Sequence, residues 1–200
     1  QIVSIDGEMT SRTLWDDISF SKTEQATVNS GGAFSVLIRR NVVTGAASAV
    51  RSKLIDSALP IPQAFLHDEW LALTASLLGS LRAVEAPLVN YREHASQSVG
   101  SPNGVFGMLK AARRTMDREY FRNRVSRATA IVEFLESNKG RLVDSNLAMH
   151  SSSIITHAET VKRIHESWLA RFPLVLREVL SGRYYRYDRG AEAIIRDFLL

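Results

Sequence analysis

The strongest constraint on the fold lies between residues 41 and 100, where signals for extended and helical chain alternate over short distances. The segment Asn41-Val-Val-Thr-Gly45 combines β-branched residues with a glycine, which is typical of a buried strand that another group approaches closely. Ser52 begins a short predicted helix, and Pro60 and Pro62 end it and keep the following chain extended.

The next predicted helix starts at Asp68, continues to about Leu78 with apolar residues at a 3.6-residue period, and ends at Gly79. Leu81–Val84 and Leu88–Tyr91 are short strand candidates. Strands that alternate with helices indicate an α/β fold, in which functional groups collect where strands end.

The chain before residue 41 is less regular. Gln1–Ile5 is predicted as a strand that ends at the Asp6-Gly7 turn, and Ser11–Asn29 as a surface loop with a short helical turn. Gly31-Gly32 breaks the chain before a short helical segment, Ala33–Arg39.

The second half is predicted to be helical, so we expect two regions, residues 1–100 and residues 101–200. Breaks are expected at residues 138–140, at Pro173 and at Ser181-Gly182. The predicted helices are Phe106–Leu135, Ala148–Ala170, Leu174–Leu180 and Ala191–Leu200.

Composition excludes several classes of site. The chain has no cysteine, so it has neither disulfides nor a thiolate zinc site nor a cysteine nucleophile. Residues 1–100 carry 8 Lys and Arg against 10 Asp and Glu, whereas residues 101–200 carry 17 against 11. A basic second half indicates an anionic surface or ligand nearby.

Asp68 is the first candidate for chemistry. A carboxylate at the start of a helix, after an extended Pro-x-Pro connector, is held on a rigid element from which it can remove a proton from a hydroxyl group. The alternative is that Asp68 only caps the helix, a common role for aspartate.

His94 follows a predicted strand that ends at Tyr91-Arg92. It is a candidate for contacting a metal ion or a diphosphate, with Arg92 adding positive charge, or else it is a surface histidine in a polar loop. The backbone at Thr44-Gly45 is suited to approach a ligand closely, although such a glycine also serves strand packing.

The second half also contains a basic amphipathic helix, with apolar residues between its charges. Solvated helix faces are commonly charged, and the alternative is binding to a membrane surface or to RNA. We interpret His150, His157 and His165, which lie near heptad spacing, as helix-surface residues rather than zinc ligands. The basic residues are Lys110, Arg113, Arg114, Arg118, Arg122, Arg124 and Arg127.

The order of these motifs resembles the second half of family 2 glycosyltransferases, in particular the bacterial rhamnosyltransferase-like group. The resemblance rests on Asn41–Gly45, Leu59–Pro62, His67-Asp68-Glu69-Trp70 and Tyr91-Arg92-Glu93-His94, followed by Val99-Gly100. It covers about residues 1–100.

The resemblance implies a GT-A fold and a metal-dependent, inverting transfer of a hexosyl or rhamnosyl group from a nucleotide sugar to a glycan or lipid-linked acceptor. It implies that Asp68 is the general base and that His94 contacts the metal ion or the donor diphosphate. Thr44 and Gly45 would line the floor between donor and acceptor. His67, Trp70 and Arg92 would contribute to substrate binding, with Trp70 shaping the acceptor side.

The resemblance also implies a divalent metal, Mg or Mn, in the full-length enzyme. The Asp-x-Asp metal motif and the donor-binding half of the family do not appear in this sequence, which begins at Gln1. We therefore expect these residues to be a piece of a longer enzyme and to be inactive in isolation.

The competing hypothesis is a non-catalytic helical module whose basic face binds a membrane surface or a nucleic acid. The enzyme hypothesis makes nucleic acid a less favoured partner. It places the protein in the cytoplasm, with peripheral contact to the inner face of the membrane through the basic helices.

Overall fold

The computed structural model describes residues 1–4, 6–92 and 118–199, and it is mostly helical. Its strands are β1 (Ile2–Val3) and β2 (Tyr91–Arg92), which run parallel with Ile2 opposite Tyr91. β1 lies inside the predicted strand Gln1–Ile5, and β2 begins at the last residue of the predicted strand Leu88–Tyr91. The α-rich character with few strands is confirmed. Within the described residues, a larger GT-A sheet is not shown.

Ten α-helices are described in the ranges given above. They are α1 (Leu14–Asp17), α2 (Lys22–Thr27), α3 (Ala33–Leu37), α4 (Ser52–Ala58), α5 (His67–Leu78), α6 (Arg118–Ser137), α7 (Ser151–Glu166), α8 (Trp168–Leu180), α9 (Arg183–Tyr187) and α10 (Ala191–Leu199). A π-helical turn spans Val28–Gly32, and 3₁₀ turns span Gly45–Ala47, Lys139–Arg141 and Ser145–His150.

The predicted surface loop between Ser11 and Asn29 is instead largely helical. Each of its two helices begins with a capping box, in which a hydroxyl and a carboxylate three residues apart bond each other's backbone N–H groups. Thr13 pairs with Asp16 in this way, and Ser21 pairs with Glu24. The predicted break at Gly31 is confirmed, because its φ of +97° lies in the left-handed region that favours glycine.

Two predicted strands do not form, for a common reason. Asn41 Oδ1 accepts the Val43 N–H at 2.8 Å, which turns the chain locally. The Asn29 side chain accepts from Ala83 N at 2.8 Å and donates to Ala83 O at 3.2 Å, so it takes the place of a neighbouring strand. In both places an asparagine side chain satisfies the backbone groups that a sheet would have used.

Helices α4 and α5 begin at or next to the predicted residues, and α5 ends before Gly79, as predicted. The helical character of the second half is also confirmed for residues 118–199, with two differences in its breaks, while the predicted start at Phe106 lies outside the described residues. The predicted helix 148–170 is interrupted at Ser167, and Pro173 lies inside α8 instead of ending a helix. Pro173 is the sixth residue of α8, so it removes one i→i−4 hydrogen bond, and the helix continues past it.

The larger hydrophobic core draws residues from both halves of the chain. Helix α5 contributes its buried face, α6 packs on it from the second half, and α7 packs on α6. Trp70 and Phe134 join α5 to α6, with ring centroids 5.4 Å apart. Other members are Val36, Leu37, Leu73, Leu77, Leu135 and Ile154. A smaller core lies between α7, α8, α9 and α10 around Val161, Ile164, Val175 and Tyr184.

Candidate functional site

The first candidate site is the contact between the turn at Gly45 and the first turn of α5. The backbone N–H of Gly45 donates to Asp68 Oδ2 at 2.7 Å, and the N–H of Glu69 donates to Asp68 Oδ1 at 2.8 Å. Both oxygens are therefore oriented by backbone groups, while the side chain stays partly exposed. Because each carboxylate oxygen has two lone pairs, each can still accept a further hydrogen bond.

Gly45 lies so close to α5 that a side chain would not fit without a shift. A Cβ at this position would be 3.1 Å from His67 Nε2 and 3.3 Å from Asp68 Oδ2. Thr44 closes the same turn, since its carbonyl accepts from Ala47 N at 3.0 Å. The glycine thus serves a close approach, and the group it approaches is the Asp68 carboxylate. Its predicted approach to a ligand stays a prediction.

Local sequence places Asp68 where a carboxylate is stabilised. Leu66 is extended and α5 begins at His67, so Asp68 lies in the first turn. The partial positive charge at a helix N-terminus favours an anion there. The hydrogen bond from Glu69 N–H gives Asp68 part of the helix-capping role that was its alternative interpretation. Its other oxygen, Oδ2, accepts from Gly45 N–H, which lies outside the helix.

Helix α5 is fixed in position by an ion pair to α6. Both terminal nitrogens of Arg127 donate to the carboxylate of Glu69, Nη1 at 2.9 Å, and Nη1 also donates to Ala64 O at 3.0 Å. The Arg127 guanidinium lies 4.1 Å from the centroid of the Phe65 ring. Glu69 is buried, so this pair connects the helix that carries Asp68 to the helical second half.

The remaining predicted site residues are dispersed. Trp70 is buried in the larger core, and its indole N–H donates to Ala58 O at 2.8 Å. Trp70 therefore holds α5 against the core. Arg92 lies on β2 and is exposed, and a Cβ on Gly7 would be 3.5 Å from its Nη2. His94 lies outside the described residues. The structure therefore brings together Thr44, Gly45, His67 and Asp68.

A metal centre is not found in the part of the chain that the structure describes, where no three His, Cys, Asp or Glu side chains cluster in a way that could hold an ion. Near Gly45, His67 and Asp68 are two candidate ligands, and a Mg site there would need donor phosphate and water to complete it. We derive no chemical step through a metal from these residues.

A second polar cluster, which sequence reasoning missed, is buried between α6, α7, α8, α9 and α10. We call it the buried ion cluster. Contrary to the interpretation above, His157 is only 2% exposed. Its Nδ1 lies 2.7 Å from Glu178 Oε2, which also accepts from Arg183 Nε at 2.9 Å. The cluster comprises His157, His165, Glu178, Tyr184, Asp188 and Asp197 with Arg124, Arg183 and Arg196.

Asp188 is the centre of the buried ion cluster. Its Oδ2 accepts from Arg124 Nη2 at 2.7 Å and from Arg196 Nη2 at 3.0 Å, and it lies 3.9 Å from His157 Nε2. Burial alone would raise the pKa of Asp188, but Arg124, His157 and Arg196 hold this pKa far below its usual range. Three helices from different parts of the sequence thus meet at one carboxylate.

In the other members of the cluster, the charged partners decide the direction of the pKa shift. Burial opposes the charged form of His157, but Asp188 and Glu178 together raise the pKa of His157 above its ordinary value. Burial likewise raises the pKa of Glu178, but its partners Arg183 and His157 lower this pKa overall. The pKa of Asp197 is lowered against burial by His165 and Arg196.

A sequence signal for the buried histidine does exist. The apolar residues Ile154, Ala158, Val161 and Ile164 follow the period of one helix face, and His157 lies within that face. Two members of the supposed basic surface also point inward, since Arg124 pairs with Asp188 and Arg127 with Glu69. Lys110, Arg113 and Arg114 lie outside the described residues, as do the side chains of Arg118 and Arg122.

These pKa shifts predict a window of maximum stability between about pH 4.5 and 6.5. The raised pKa of His157 stabilises the fold below the unfolded value of about 6.5, and this contribution is lost as pH rises through the folded pKa. The lowered pKa values of Glu178, Asp188 and Asp197 stabilise the fold above about pH 4, and this contribution is lost as pH falls.

Thermal unfolding, followed by near-UV circular dichroism at pH values from about 3.5 to about 9, checks the prediction. His157→Gln should reduce the loss of stability above about pH 6.5. The control is His67→Gln, a change at an exposed histidine, which should leave this loss of stability as it is in the wild type. An unchanged alkaline decline in His157→Gln would show that His157 does not cause it.

No helix in the described ranges is both long and apolar enough to cross a membrane. Comparison of the chain with protein-family models, with curated proteins and with solved structures finds no match in any of the three.

Proposed function

We propose that this chain is the acceptor-side part of an inverting glycosyltransferase of family 2, with a partial GT-A fold, in which Asp68 is the general base. The single observation that carries the proposal is the orientation of Asp68 by Gly45 N–H and Glu69 N–H on a half-buried helix N-terminus. The order of the motifs around Asp68 supports the same family.

In the proposed reaction, an Asp68 oxygen accepts the proton of the acceptor hydroxyl through its remaining lone pair. The hydroxyl oxygen then forms a bond to the anomeric carbon of the donor sugar. The bond from that carbon to the diphosphate breaks on the opposite face, and its electron pair leaves with the nucleoside diphosphate. Attack from the face opposite the leaving group inverts the configuration.

The other residues have supporting roles in this proposal. His67 is exposed next to Asp68 and is available to bind a hydroxyl of the acceptor, and Thr44 shapes the turn that carries Gly45. Trp70 acts by holding α5 in place. Arg92 and His94 are proposed for the donor diphosphate and its divalent metal in the longer enzyme.

The non-catalytic basic module is the weaker proposal. It depends on a row of exposed cationic side chains, and two of its seven members form ion pairs inside the protein. Pairing reduces the charge that such a face can offer to a nucleic acid.

Gly45→Ala tests the site without removing any functional group. The new Cβ would crowd His67 and Asp68, so these side chains must give way by a few tenths of an ångström. Because a misplacement of about 1 Å can cost about 100-fold, this smaller displacement should lower kcat/KM about 3- to 10-fold. The measurement is the rate of transfer from nucleotide-sugar donors by the full-length protein.

Gly140→Ala is the matched control. A Cβ at Gly140 meets no atom within 4 Å, so this variant should transfer at the wild-type rate. Equal rates for the two variants would contradict a catalytic role for the contact between Gly45 and Asp68.

A further inference from the structure

Helices α8 and α10 carry a continuous apolar surface on their solvent side, which we call the apolar stripe. On α8, Trp168 and Phe172 are 78% and 62% exposed, and their four-residue spacing places them on one face with Leu176. Leu169 lies on the same side. On α10, Ile195 and Phe198 are exposed in the same way.

The two helices present one surface rather than two separate ones. The rings of Phe172 and Phe198 are neighbours, with centroids 6.2 Å apart, and they join α8 to α10. Val175 and Glu178 of the same helix are buried. The fold therefore already uses the inner face of this helix, and the apolar stripe is additional to what the core requires. Contiguous exposed apolar surface of this kind marks an interaction site.

Near the apolar stripe, acidic and basic side chains differ in their exposure and in their pairing. The acidic residues Glu178, Asp188 and Asp197 are buried in the ion cluster, where they neutralise cationic partners inside the protein. In contrast, Arg177 and Arg186 are exposed, and neither takes part in an ion pair within the described ranges.

The exposed acids beside the apolar stripe, Glu166 just before α8 and Glu192 on α10, are paired with Lys162 and Arg189. The charge that borders the apolar stripe is therefore positive, so a partner with negative charge is favoured.

We propose that the apolar stripe docks onto an anionic membrane surface, with α8 lying in the plane of the interface. Tryptophan, phenylalanine and leucine on one side with arginine beside them is the composition of an interfacial amphipathic helix. Anionic lipids attract the arginines while the apolar side chains enter the boundary between headgroups and acyl chains.

A second copy of the chain is a less favourable occupant. A two-fold interface places the same patch of both subunits face to face, so the arginines beside the apolar stripe would meet arginines. Like charges across an interface oppose association, whereas an anionic lipid surface removes this cost. The proposed docking surface does not depend on glycosyl transfer, and its test does not measure transfer.

The experiment is the partition of the full chain between buffer and sedimenting vesicles, either phosphatidylcholine alone or with about 30 mol% phosphatidylglycerol. We expect binding to the anionic vesicles, at least about tenfold weaker binding to the neutral ones, and a decrease as salt is raised. The emission of Trp168 should shift to the blue on binding, and Trp168→Phe should remove this shift.

Variants separate the apolar contribution from the electrostatic one. Trp168→Ser with Phe172→Ser should weaken partition at least about 30-fold, since each change removes a large apolar side chain from the interface. Arg177→Gln with Arg186→Gln should weaken binding to anionic vesicles about 10-fold or more and leave the weak binding to neutral vesicles unchanged.

The matched control is Leu88→Ser with Met149→Ser, which removes two equally exposed apolar side chains elsewhere and should bind like wild type. All variants replace exposed residues, and unchanged far-UV circular dichroism and melting temperature verify their folding.

The proposal is overturned if the wild-type chain does not partition into anionic vesicles, or if the Trp168 and Phe172 variant binds as tightly as the control. Lipid-independent dimers that this variant abolishes would assign the apolar stripe to a second copy and also overturn it.

Discussion

Asp68→Asn should reduce the rate of glycosyl transfer by the full-length protein about 10²- to 10⁴-fold, the usual contribution of a positioned general base. Asparagine keeps the size of the side chain but cannot take the proton of the acceptor hydroxyl. Its amide oxygen can still accept from Gly45 N–H or Glu69 N–H, so α5 should keep its position. The measurement is the initial rate with saturating donor, together with the melting temperature.

The control is Asp56→Asn, the same chemical change at an exposed position of α4. This variant should transfer at the wild-type rate. If Asp68→Asn retains more than about a tenth of that rate, or if it melts far below Asp56→Asn, Asp68 is not the base that we propose. Loss of transfer with an unchanged melting temperature would support chemistry over folding.

Asp188→Asn should lower the free energy of unfolding by about 3 to 5 kcal/mol, because it removes the acidic partner of buried cationic groups. Arg124 and Arg196 both donate to Asp188 Oδ2, and His157 lies beside it. The neutral amide removes the charged acceptor that these three groups share, and what remains is weaker compensation, from Asp197 for Arg196 and from Glu178 for His157. Chemical denaturation followed by circular dichroism measures the change.

The prediction also gives the order in which three variants lose stability. Arg124→Met should cost less than Asp188→Asn, since Asp188 then keeps Arg196 as a partner, and Asp56→Asn should cost less than about 0.5 kcal/mol as a surface change. If Arg124→Met is the more damaging variant, Asp188 is not the centre of the buried ion cluster.

Both predictions concern the relation between the two halves of the chain. Helix α5 carries Asp68 and is tied to α6 by Glu69 and Arg127, while α6 is tied to α9 and α10 through Arg124. A change in the buried ion cluster should therefore loosen the helices that support the candidate site. The helical second half is thus a structural support for the first half.

Of the candidate site, the sequence predicted the residues but not their arrangement. Asp68 at a helix start and Gly45 at a close approach each follow from local signals. That Gly45 N–H binds Asp68 Oδ2 depends on two segments 23 residues apart, and no local pattern specifies this contact. The same applies to Trp70, whose motif predicted a place at the acceptor side and whose ring lies in the core.

The sequence by itself determined the features that neighbouring residues control. The ends of α4 and α5, the break at Gly31 and the helical second half follow from proline, glycine and apolar spacing within a few residues. These signals act through backbone conformation, which is local.

Only the tertiary structure decided which polar groups find partners. Asn29 replaces a strand beside Ala83, Arg127 bonds Glu69 across 58 residues and Arg124 bonds Asp188 across 64. A charged or amide side chain is compatible with water or with any complementary group that packing brings near, so its partner is fixed by the packing of the whole chain.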